Sequence, residues 1–450
     1  MAQAFDLIVI GVGMAAVSAA NKCASTGWSV AVVDELPYGG TCALRGCDPK
    51  KILRRGAEII DAAQLMRGKG IEENGVTINW TDLVAHKRSF TDKMPDTIEK
   101  GLKKNGVATL HGAARFVGPN TVEIGDERFD GRYFLVATGA MPSPVDVPGE
   151  EHLIDNAQFM ELDDLPKRIL FVGGGYISFE FAHMAARAGS RITIINRGAR
   201  PLKVFDPDLV TKLLERSAAA GIDVQLGTTL KSIESTSNGF VIVGEQDDKE
   251  QQWNADLVVH GAGRVPTLET LDLQAADIQA SKHGVVVNEY LQSVSNPAVY
   301  AAGDAADTSG APLTPVAVFE GKVAASNILK GNHKTPDYCG VPSVVFTLPE
   351  LARVGMLESE AKEAGHDVRV QFTDTSGWFS NLRIGEPTAA VKVLVDNATD
   401  EIVGAHLLGP GYAELVNIFG LAIKLGLKAS DLKTMVPAYP TVGSDLGSML

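Results

Sequence analysis

The sequence predicts an α/β fold, because the same strand–turn–helix–strand pattern occurs twice, about 160 residues apart. In each copy a short apolar strand runs into a glycine-rich turn and then into a helix. With 450 residues the chain is too long for a single hydrophobic core, so we expect several domains. Strands at 389–396 and 402–408 and helices at 413–425 and 430–435 predict a C-terminal α+β unit.

Composition and charge exclude several classes of protein. Hydrophobic residues make up 45% and charged residues 21% of the chain, as in ordinary globular proteins. No run of 18 apolar residues occurs, so we expect no membrane span. The net charge of -14, without a basic cluster, disfavours nucleic-acid binding. The first residues lack a basic segment, so we expect no signal peptide and a cytoplasmic location.

The first glycine-rich turn follows a buried strand at 5–10 and reads Gly11-Val-Gly13-Met-Ala-Ala16. Glycines permit the tight turn and let the backbone approach a pyrophosphate, which the N-terminus of the next helix attracts. Asp34 ends the second strand, where an acid accepts hydrogen bonds from ribose hydroxyls. The pattern therefore predicts a dinucleotide site, the alternative being an ordinary strand–helix turn.

Two of the four cysteines, Cys42 and Cys47, lie five positions apart in the stretch 39–51. On one helical turn, two thiols at this spacing can close a small disulfide ring that a nucleotide bound just upstream would reduce. In a reducing compartment such a pair is more often catalytic than structural, although two buried, unreactive cysteines are the alternative. We expect Cys23 and Cys339 to have no catalytic role.

The stretch GGTC-x4-GC-x-PKK resembles the redox-disulfide signature of the FAD-dependent pyridine nucleotide-disulfide reductases, the family of glutathione reductase, dihydrolipoyl dehydrogenase and mercuric reductase. Further segments that resemble the family extend to the C-terminal region at 344–355. The resemblance implies two Rossmann-type three-layer domains and a C-terminal α+β dimerisation domain. The implied domains are FAD-binding 1–145 with 265–335, NAD(P)H-binding 146–264 and dimerisation 336–450.

The same resemblance implies which residues hold FAD. They come from the first turn, the cysteine stretch and later segments that resemble A-T-G-x-x-P, G-D and L-T-P-V-A. The implied FAD-binding residues are Gly11, Gly13, Ala16, Asp34, Gly40, Thr41, Ala114, Thr138, Gly139, Gly303, Asp304, Thr314 and Pro315.

By its match to the family, Cys47 is the flavin-proximal thiol and Cys42 the exposed interchange thiol. Both need a lowered pKa to act as thiolates. Asp48 stands where most relatives have an apolar residue, and we expect its carboxylate to disfavour a thiolate at Cys47. Lys50 matches a lysine beside the flavin, and Glu180 matches its ion-pair partner, although a surface salt bridge is the alternative.

The second glycine-rich turn, Gly173-Gly-Gly175-Tyr176, starts a second nucleotide site. At the end of this unit an NAD-selective site places an acid, but here Asn196 is followed by Arg197, with Arg200 and Lys203 close behind. An acid would repel a 2′-phosphate, whereas arginine pairs with it. We therefore expect NADPH, the alternative being solvated surface charges. The residues implied for NADPH binding are Gly173, Gly175, Tyr176, Arg197, Lys203 and Gly263. Tyr176 matches a tyrosine that covers the nicotinamide pocket in relatives, and the alternative is that it has only a packing role.

The C-terminal segment departs from the family pattern. Glutathione reductases read H-P-T-x-x-E here, whereas this chain has Tyr439 for the histidine and Ser444 for the glutamate. A tyrosine with a pKa near 10 donates a proton to a leaving thiolate but is a poor base. Asp445, one position further, is the alternative substitute. Mercuric reductases also have tyrosine here, but they end in a cysteine pair that this chain lacks.

These features predict a homodimeric, NADPH-preferring FAD enzyme that reduces a small-molecule disulfide or another soft electrophile, with no metal site. Glutathione is disfavoured, because Asn21 and Lys322 stand where glutathione reductases place arginines. Two alternatives stay open. The flavin itself reduces quinones, metal ions or oxygen, or the protein is a low-turnover flavin and thiol redox sensor. The intact second turn favours an enzyme.

Overall fold

The computed structural model describes residues 3–72 and 75–450. The chain divides into two compact units of three segments each. Unit 1 contains Met1–Ile52, Ala85–Ser143 and Arg264–Tyr338, and unit 2 contains Leu53–Val84, Pro144–Gly263 and Cys339–Leu450. The predicted division into FAD, NAD(P)H and dimerisation domains stays a prediction. None of the helices in the described ranges has the length and apolar character needed to cross a lipid bilayer.

The helices and strands are numbered in chain order. The helices are α1 Met14–Ala24, α2 Cys47–Leu65, α3 Trp80–Thr91, α4 Met94–Lys104, α5 Asn156–Met160, α6 Tyr176–Arg187, α7 Pro207–Ala219, α8 Thr314–Lys330, α9 Glu358–Glu363, α10 Phe379–Leu382, α11 Tyr412–Leu425 and α12 Ala429–Lys433. The strands are β1 Gln3–Ile10, β2 Val30–Asp34, β3 Ala108–His111, β4 Ala114–Gly118, β5 Thr121–Ile124, β6 Glu127–Val136, β7 Ala140–Pro142, β8 Leu153–Ile154, β9 Arg168–Val172, β10 Arg191–Asn196, β11 Ile222–Leu226, β12 Thr228–Thr236, β13 Gly239–Gln246, β14 Lys249–Ala255, β15 Leu257–His260, β16 Arg264–Pro266, β17 Ala280–Ser281, β18 Gly284–Val286, β19 Val299–Ala301, β20 Ala306–Asp307, β21 Ser343–Val345, β22 Leu351–Gly355, β23 Val368–Asp374, β24 Ala390–Asp396 and β25 Ile402–Leu408.

The main sheet of unit 1 has the order β3-β2-β1-β6-β5-β4, and β19 also pairs with β6. The strands around β1 are parallel, and only β4, β5 and β6 form an antiparallel meander. The sequence of 107–114 predicts a strand of this small antiparallel meander together with 121–124, which is wrong for β3, because β3 pairs in parallel with β2. Helix α4 precedes β3, and a strand reached through a helical crossover returns parallel to the sheet.

Helix α1 is rich in alanine because it packs closely against α8. A Cβ added to Gly321 of α8 would lie 2.3 Å from the carbonyl oxygen of Ala15. Ala16, Ala19 and Ala20 are fully buried beneath this contact. Small side chains thus bring together the two helices whose N-termini belong to the predicted FAD site.

Unit 2 contains the parallel sheet β11-β10-β9-β15-β8, the antiparallel sheet β12-β13-β14 and the C-terminal sheet β21-β22-β25-β24-β23. Helix α11 packs on β22 and β25 of the C-terminal sheet. The resemblance of 344–355 to the opening strand of a dimerisation domain predicts a single strand, but the structure has two antiparallel strands, in which Ser343 pairs with Arg353. Pro349 lies between them and has no N–H to donate, so a continuous ladder is interrupted there.

A buried ionic network links three helices of unit 2. Asp61 of α2 accepts hydrogen bonds from Arg187 of α6 at 2.7 Å and from Arg216 of α7 at 3.0 Å. Arg216 also pairs with Glu386 at 3.2 Å, and all four side chains are at most 10% exposed. Burial and the neighbouring Arg187 charge hold the pKa of His183 well below its usual value, so this histidine is neutral.

Replacing Asp61 by alanine leaves two buried guanidinium groups without their shared carboxylate. We expect the free energy of unfolding to fall by about 3–5 kcal/mol, the usual consequence of breaking a buried pair. Urea titration of FAD-saturated protein, followed by tryptophan fluorescence, measures it. Arg55→Ala is the control, because this side chain is 72% exposed, and its effect stays within about 0.5 kcal/mol. An equally small effect of Asp61→Ala contradicts a stabilising role for the network.

Candidate active site

The first glycine-rich turn has the geometry that a dinucleotide needs. Gly11 has φ +96°, and an added Cβ would lie 2.4 Å from the carbonyl oxygen of Ala137, so only glycine fits. Val12 N donates to Asp34 Oδ2 at 2.7 Å, which holds the end of β2 against the turn. Helix α1 begins without a side-chain cap after Gly13, where an added Cβ meets no atom within 4 Å. The first N–H groups of α1 therefore have no side-chain cap and are available to bind a phosphate.

Two further segments of unit 1 support the FAD site. Thr138 Oγ1 is buried and makes no hydrogen bond within the described part of the chain, as expected of a group that meets a ligand. Gly139 follows with φ +70°. Asp304 lies in a short turn after β19, and burial raises the pKa of its carboxyl. These residues fit FAD, whereas Ala114 begins β4 and is packed among apolar side chains.

The cysteine stretch is held directly against the first turn. Gly40 has φ +61°, and an added Cβ would lie 2.6 Å from the Cα of Gly13. Cys42 lies in a single π-helical turn, Thr41–Arg45, whereas Cys47 is the first residue of α2. The two thiols therefore do not share one helical turn, because Gly46, at φ −152° and ψ −111°, interrupts the helix. Both cysteines are free thiols.

The pKa values of the two thiols are shifted in opposite directions. A hydrogen bond from Cys42, another from Thr314 and the charges of Lys50 and Lys51 lower the pKa of Cys47 to about 6. Thr314 Oγ1 lies 3.5 Å from Cys47 Sγ, at the N-terminus of α8. The pKa of Cys42 is raised, because its proton forms the hydrogen bond to Cys47 and its sulfur is partly buried. At neutral pH the pair is therefore a thiolate at Cys47 and a thiol at Cys42.

This asymmetry corrects one expectation and leaves another, on Asp48, a prediction. Both thiols were expected to have a lowered pKa, but a hydrogen bond lowers the pKa of its acceptor at the expense of its donor. Asp48 was expected to disfavour a thiolate at Cys47. The pKa of Cys47 stays low, and the carboxylate of Asp48 contributes to the raised pKa of Cys42.

Lys50 and Glu180 occupy different units. Lys50 is 8% exposed, and its charge favours the Cys47 thiolate. Glu180 is 2% exposed, and its Oε1 accepts a hydrogen bond from Phe346 N at 3.0 Å. The ion pair between Lys50 and Glu180 stays a prediction.

The second glycine-rich turn, in unit 2, repeats the geometry of the first. Gly173 has φ +104°, and an added Cβ would lie 2.3 Å from the carbonyl oxygen of Gly261. Gly175 precedes α6, which starts at the 42%-exposed Tyr176. Gly174 N donates to Asn196 Oδ1 at 3.0 Å, the bond that Val12 makes to Asp34 in unit 1. Asn196 thus accepts the same hydrogen bond from the turn as Asp34 does, but it carries no negative charge.

The predicted coenzyme cations follow Asn196 on the surface. Arg197 and Lys203 are exposed, and no carboxylate of the described residues pairs with either side chain. Arg200 donates to the carbonyl oxygen of Lys203 at 2.9 Å. Gly263 has φ +119° and lies just after β15. The arrangement offers positive charge beyond the second strand, where a 2′-phosphate is read.

The C-terminal segment leaves Tyr439 accessible, with 78% of the side chain exposed. Asp445 instead accepts a hydrogen bond from Ser380 Oγ within the same unit. Ser444, in the place of the family's glutamate, forms a capping box with Thr441. His406 is fully buried, and burial lowers its pKa to about 4. Of these groups, Tyr439 is the one free to meet a substrate.

Sequence reasoning missed Glu320 of α8. Its carboxylate is 1% exposed and accepts hydrogen bonds from Gly303 N at 2.7 Å, Thr308 Oγ1 at 2.9 Å and Tyr338 Oη at 2.6 Å. It therefore fixes the turn that carries Asp304. A signal was present, because Glu320 is the lone acid in a helix that is mostly apolar.

Comparisons with known proteins agree with this geometry. A family model described as pyridine nucleotide-disulphide oxidoreductase matches residues 5–321, and its dimerisation-domain model matches 341–449. The chain is 32% identical to a mercuric reductase of Staphylococcus aureus, over 98% of this chain and 81% of that protein. It is 30% identical to a glutathione reductase of Burkholderia cepacia, over 98% and 97%.

A solved structure is also similar over the whole length. The Cu(II) complex of the HOCl-induced flavoprotein disulfide reductase RclA from Escherichia coli superposes with a TM-score of 0.89 at 25% identity. The match covers 100% of this chain and 99% of that one. The predicted fold class, with FAD and NAD(P) Rossmann-type domains and a C-terminal dimerisation domain, is confirmed.

The acidity of Cys47 should depend on the donor at position 42. Cys42→Ser keeps a hydrogen-bond donor, so we expect the alkylation of Cys47 by iodoacetamide to rise with pH through a midpoint near 6. Cys42→Ala removes the donor and should raise that midpoint by about one pH unit or more. The thiolate reacts, so alkylation is lost below the pKa. Mass spectrometry of the Cys47 peptide measures the reaction, and equal midpoints would rule out this hydrogen bond as the cause.

Proposed function

The chain belongs to the pyridine nucleotide-disulphide oxidoreductases, and we propose that its preferred electron donor is NADPH and its acceptor a disulfide or another soft electrophile. The protein is a flavoprotein disulfide reductase in which electrons pass from NAD(P)H via FAD to the Cys42–Cys47 pair. When bound, FAD accepts two electrons from the nicotinamide and delivers them to the disulfide. The dimerisation domain implies a homodimer.

The opposite pKa shifts of the two thiols support the proposal that the acceptor is a disulfide. In the reduced form, Cys42 attacks one sulfur of a substrate disulfide and forms a mixed disulfide. The proton that Cys42 loses replaces, through a proton donor, the one taken up by the first substrate sulfur, which leaves as a thiol. The Cys47 thiolate then attacks Cys42 Sγ, re-forms the Cys42–Cys47 disulfide and releases the second substrate half. In total the pair loses two electrons and one proton, and the substrate leaves as one thiol and one thiolate. The low pKa of Cys47 supports its role in the second attack.

Proton transfer to the first leaving sulfur requires a donor. We assign this role to Tyr439 of the partner subunit, because its exposed hydroxyl is available whereas Asp445 is bound to Ser380. The phenol donates well at neutral pH and accepts poorly. The site is therefore suited to acceptors whose reduction needs little base catalysis.

The preference for NADPH is supported by Asn196, Arg197 and Lys203. A neutral amide in the place of the acid removes the repulsion of a 2′-phosphate. The exposed cations that follow it add attraction. The preference for NADPH over NADH remains our proposal.

A soft metal ion is the second candidate acceptor. A mercuric reductase is among the relatives, and the similar RclA structure is a Cu(II) complex. Two thiols, one of them a thiolate, are ligands that such ions prefer. Quinones and oxygen, reduced without the thiols, and a sensor of negligible turnover complete the alternatives.

Anaerobic titration with NADPH tests the electron path. We expect two electrons per subunit to leave Cys42 and Cys47 reduced, with four-electron uptake before the flavin bleaches completely. Wild-type and Cys42→Ser protein are then assayed with small disulfides, Hg(II), Cu(II), quinones and oxygen. If turnover with an acceptor falls by at least about 100-fold in Cys42→Ser, electrons reach that acceptor through the thiols. Retained turnover with quinone or oxygen identifies the flavin as the donor, and no turnover with any acceptor supports the sensor.

Substitution of Tyr439 tests the proton donor. Histidine is both donor and base at neutral pH, so Tyr439→His should raise disulfide turnover severalfold if proton transfer is limiting. Tyr439→Phe, which keeps the ring but not the hydroxyl, should lower turnover by about 10²-fold while NADPH still reduces the flavin. Unchanged turnover in both variants would remove Tyr439 from the mechanism. Stopped-flow absorbance separates the two half-reactions.

A further inference from the structure

We propose that Lys392 and Arg353, two cations of the C-terminal sheet, position the coenzyme loop, residues 197–205, and thereby contribute to selection of NADPH over NADH. The inference rests on the proposed preference for NADPH. Arg353 contacts Val204 at the end of the loop, Lys392 contacts Asp206, the residue directly after the loop, and neither cation belongs to the glycine-rich turn. They are positioning residues, because they act through Arg197 and Lys203.

The coenzyme loop is anchored at its start and in its middle by the second turn. Asn196 Nδ2 donates to the carbonyl oxygen of Gly198 at 2.7 Å, and Leu202 N donates to that of Gly174 at 2.9 Å. Leu202 and Phe205 are each 5% exposed and pack into the apolar core. The loop therefore has a fixed backbone with its predicted phosphate-binding cations on the outside.

The end of the loop is fixed by buried charge. Asp206 caps α7, where its Oδ1 accepts from Asp208 N at 3.1 Å and Leu209 N at 3.3 Å. Its Oδ2 lies 2.9 Å from Lys392 Nζ, and both side chains are at most 5% exposed. Lys392 Nζ also lies 2.5 Å from Asp208 and 3.4 Å from Glu358. Three carboxylates thus surround one buried ammonium group of β24.

Arg353 of β22 adds a second anchor next to the first. Its guanidinium donates to the carbonyl oxygen of Val204 and, at 2.6 Å, to that of Gly355. It also pairs with Glu360 at 3.4 Å. Val204 directly follows Lys203, so a shift of this carbonyl moves the lysine. The C-terminal sheet therefore holds the backbone on which a phosphate-binding side chain stands.

The positions of these anchors predict an effect on one part of the coenzyme. The ADP half is expected to lie at the second turn, which is held by Gly173 and Gly261 and does not involve Lys392. Only the 2′-phosphate distinguishes NADPH from NADH, and it needs a preorganised set of cations. A loosened loop end should therefore weaken binding of the 2′-phosphate and leave ADP binding almost unchanged.

Calorimetric titration of the FAD-loaded protein with 2′,5′-ADP and with ADP tests this without turnover. We expect wild-type protein to bind 2′,5′-ADP more tightly than ADP. In Lys392→Met, affinity for 2′,5′-ADP should fall about tenfold, with affinity for ADP within about twofold. Lys362→Met is the matched control, since Lys362 pairs with the same Glu358 at 2.7 Å from the exposed side, and it should bind as wild type does.

A second variant covers the case in which Lys392→Met does not fold, because it leaves buried carboxylates without their cation. Arg353→Met removes the bond to Val204 from a side chain that is 17% exposed, and it should show the same selective loss. The inference is overturned if wild-type protein binds 2′,5′-ADP more tightly than ADP but the variants bind both ligands more weakly by the same factor. It is also overturned if the variants bind both ligands as wild type does. A wild type that binds both ligands equally overturns the NADPH preference itself, and the inference with it.

Discussion

Both nucleotide turns depend on one steric constraint, which is that backbone must approach backbone more closely than a Cβ allows. A Cβ at Gly11 would clash with the carbonyl oxygen of Ala137, and a Cβ at Gly173 would clash with that of Gly261. Each of these carbonyl groups lies directly after a neighbouring strand. The side chains of Asp34 and Asn196 then fasten each turn to its second strand. The bonds to Asp34 and Asn196 lie within one strand–turn–helix–strand unit, whereas the close approaches to Ala137 and Gly261 are made by segments far along the chain.

The cysteine stretch depends on the same kind of close contact between backbone segments. Gly40 lets the chain pass against Gly13, and Gly46 breaks the helix so that Cys47, and not Cys42, starts α2. This break is why the two thiols differ. The cysteine at the helix start receives hydrogen bonds and is stabilised by positive charge, whereas the other donates a hydrogen bond to it and keeps its proton. The division of roles between attacking thiol and thiolate thus follows from a local backbone feature.

The sequence predicts well what depends on neighbours in sequence and poorly what depends on distant ones. The two turns, α1, α6 and the C-terminal strands were predicted within one or two residues, because glycine spacing and apolar periodicity are local signals. The pairing of β3 was missed, since it depends on β2, far back along the chain. The interruption at Pro349 separates two strands that are adjacent in sequence, and it was missed although a proline inside a strand pattern is a local signal. The Asp61 network was missed because a buried acid with distant partners is recognisable only once those partners are known, whereas Glu320 had a signal as the lone acid of its helix.

Asn196 has a consequence for how this protein family can change over evolutionary time. The amide oxygen and one carboxylate oxygen are equivalent acceptors for the N–H of Gly174, so an aspartate at this position would keep the turn intact. The change alters one side-chain group and requires no repacking of the core. Under the proposed role of Asn196 in coenzyme preference, this position separates that preference from folding and would allow a lineage to exchange one dinucleotide for the other through intermediates that remain stable.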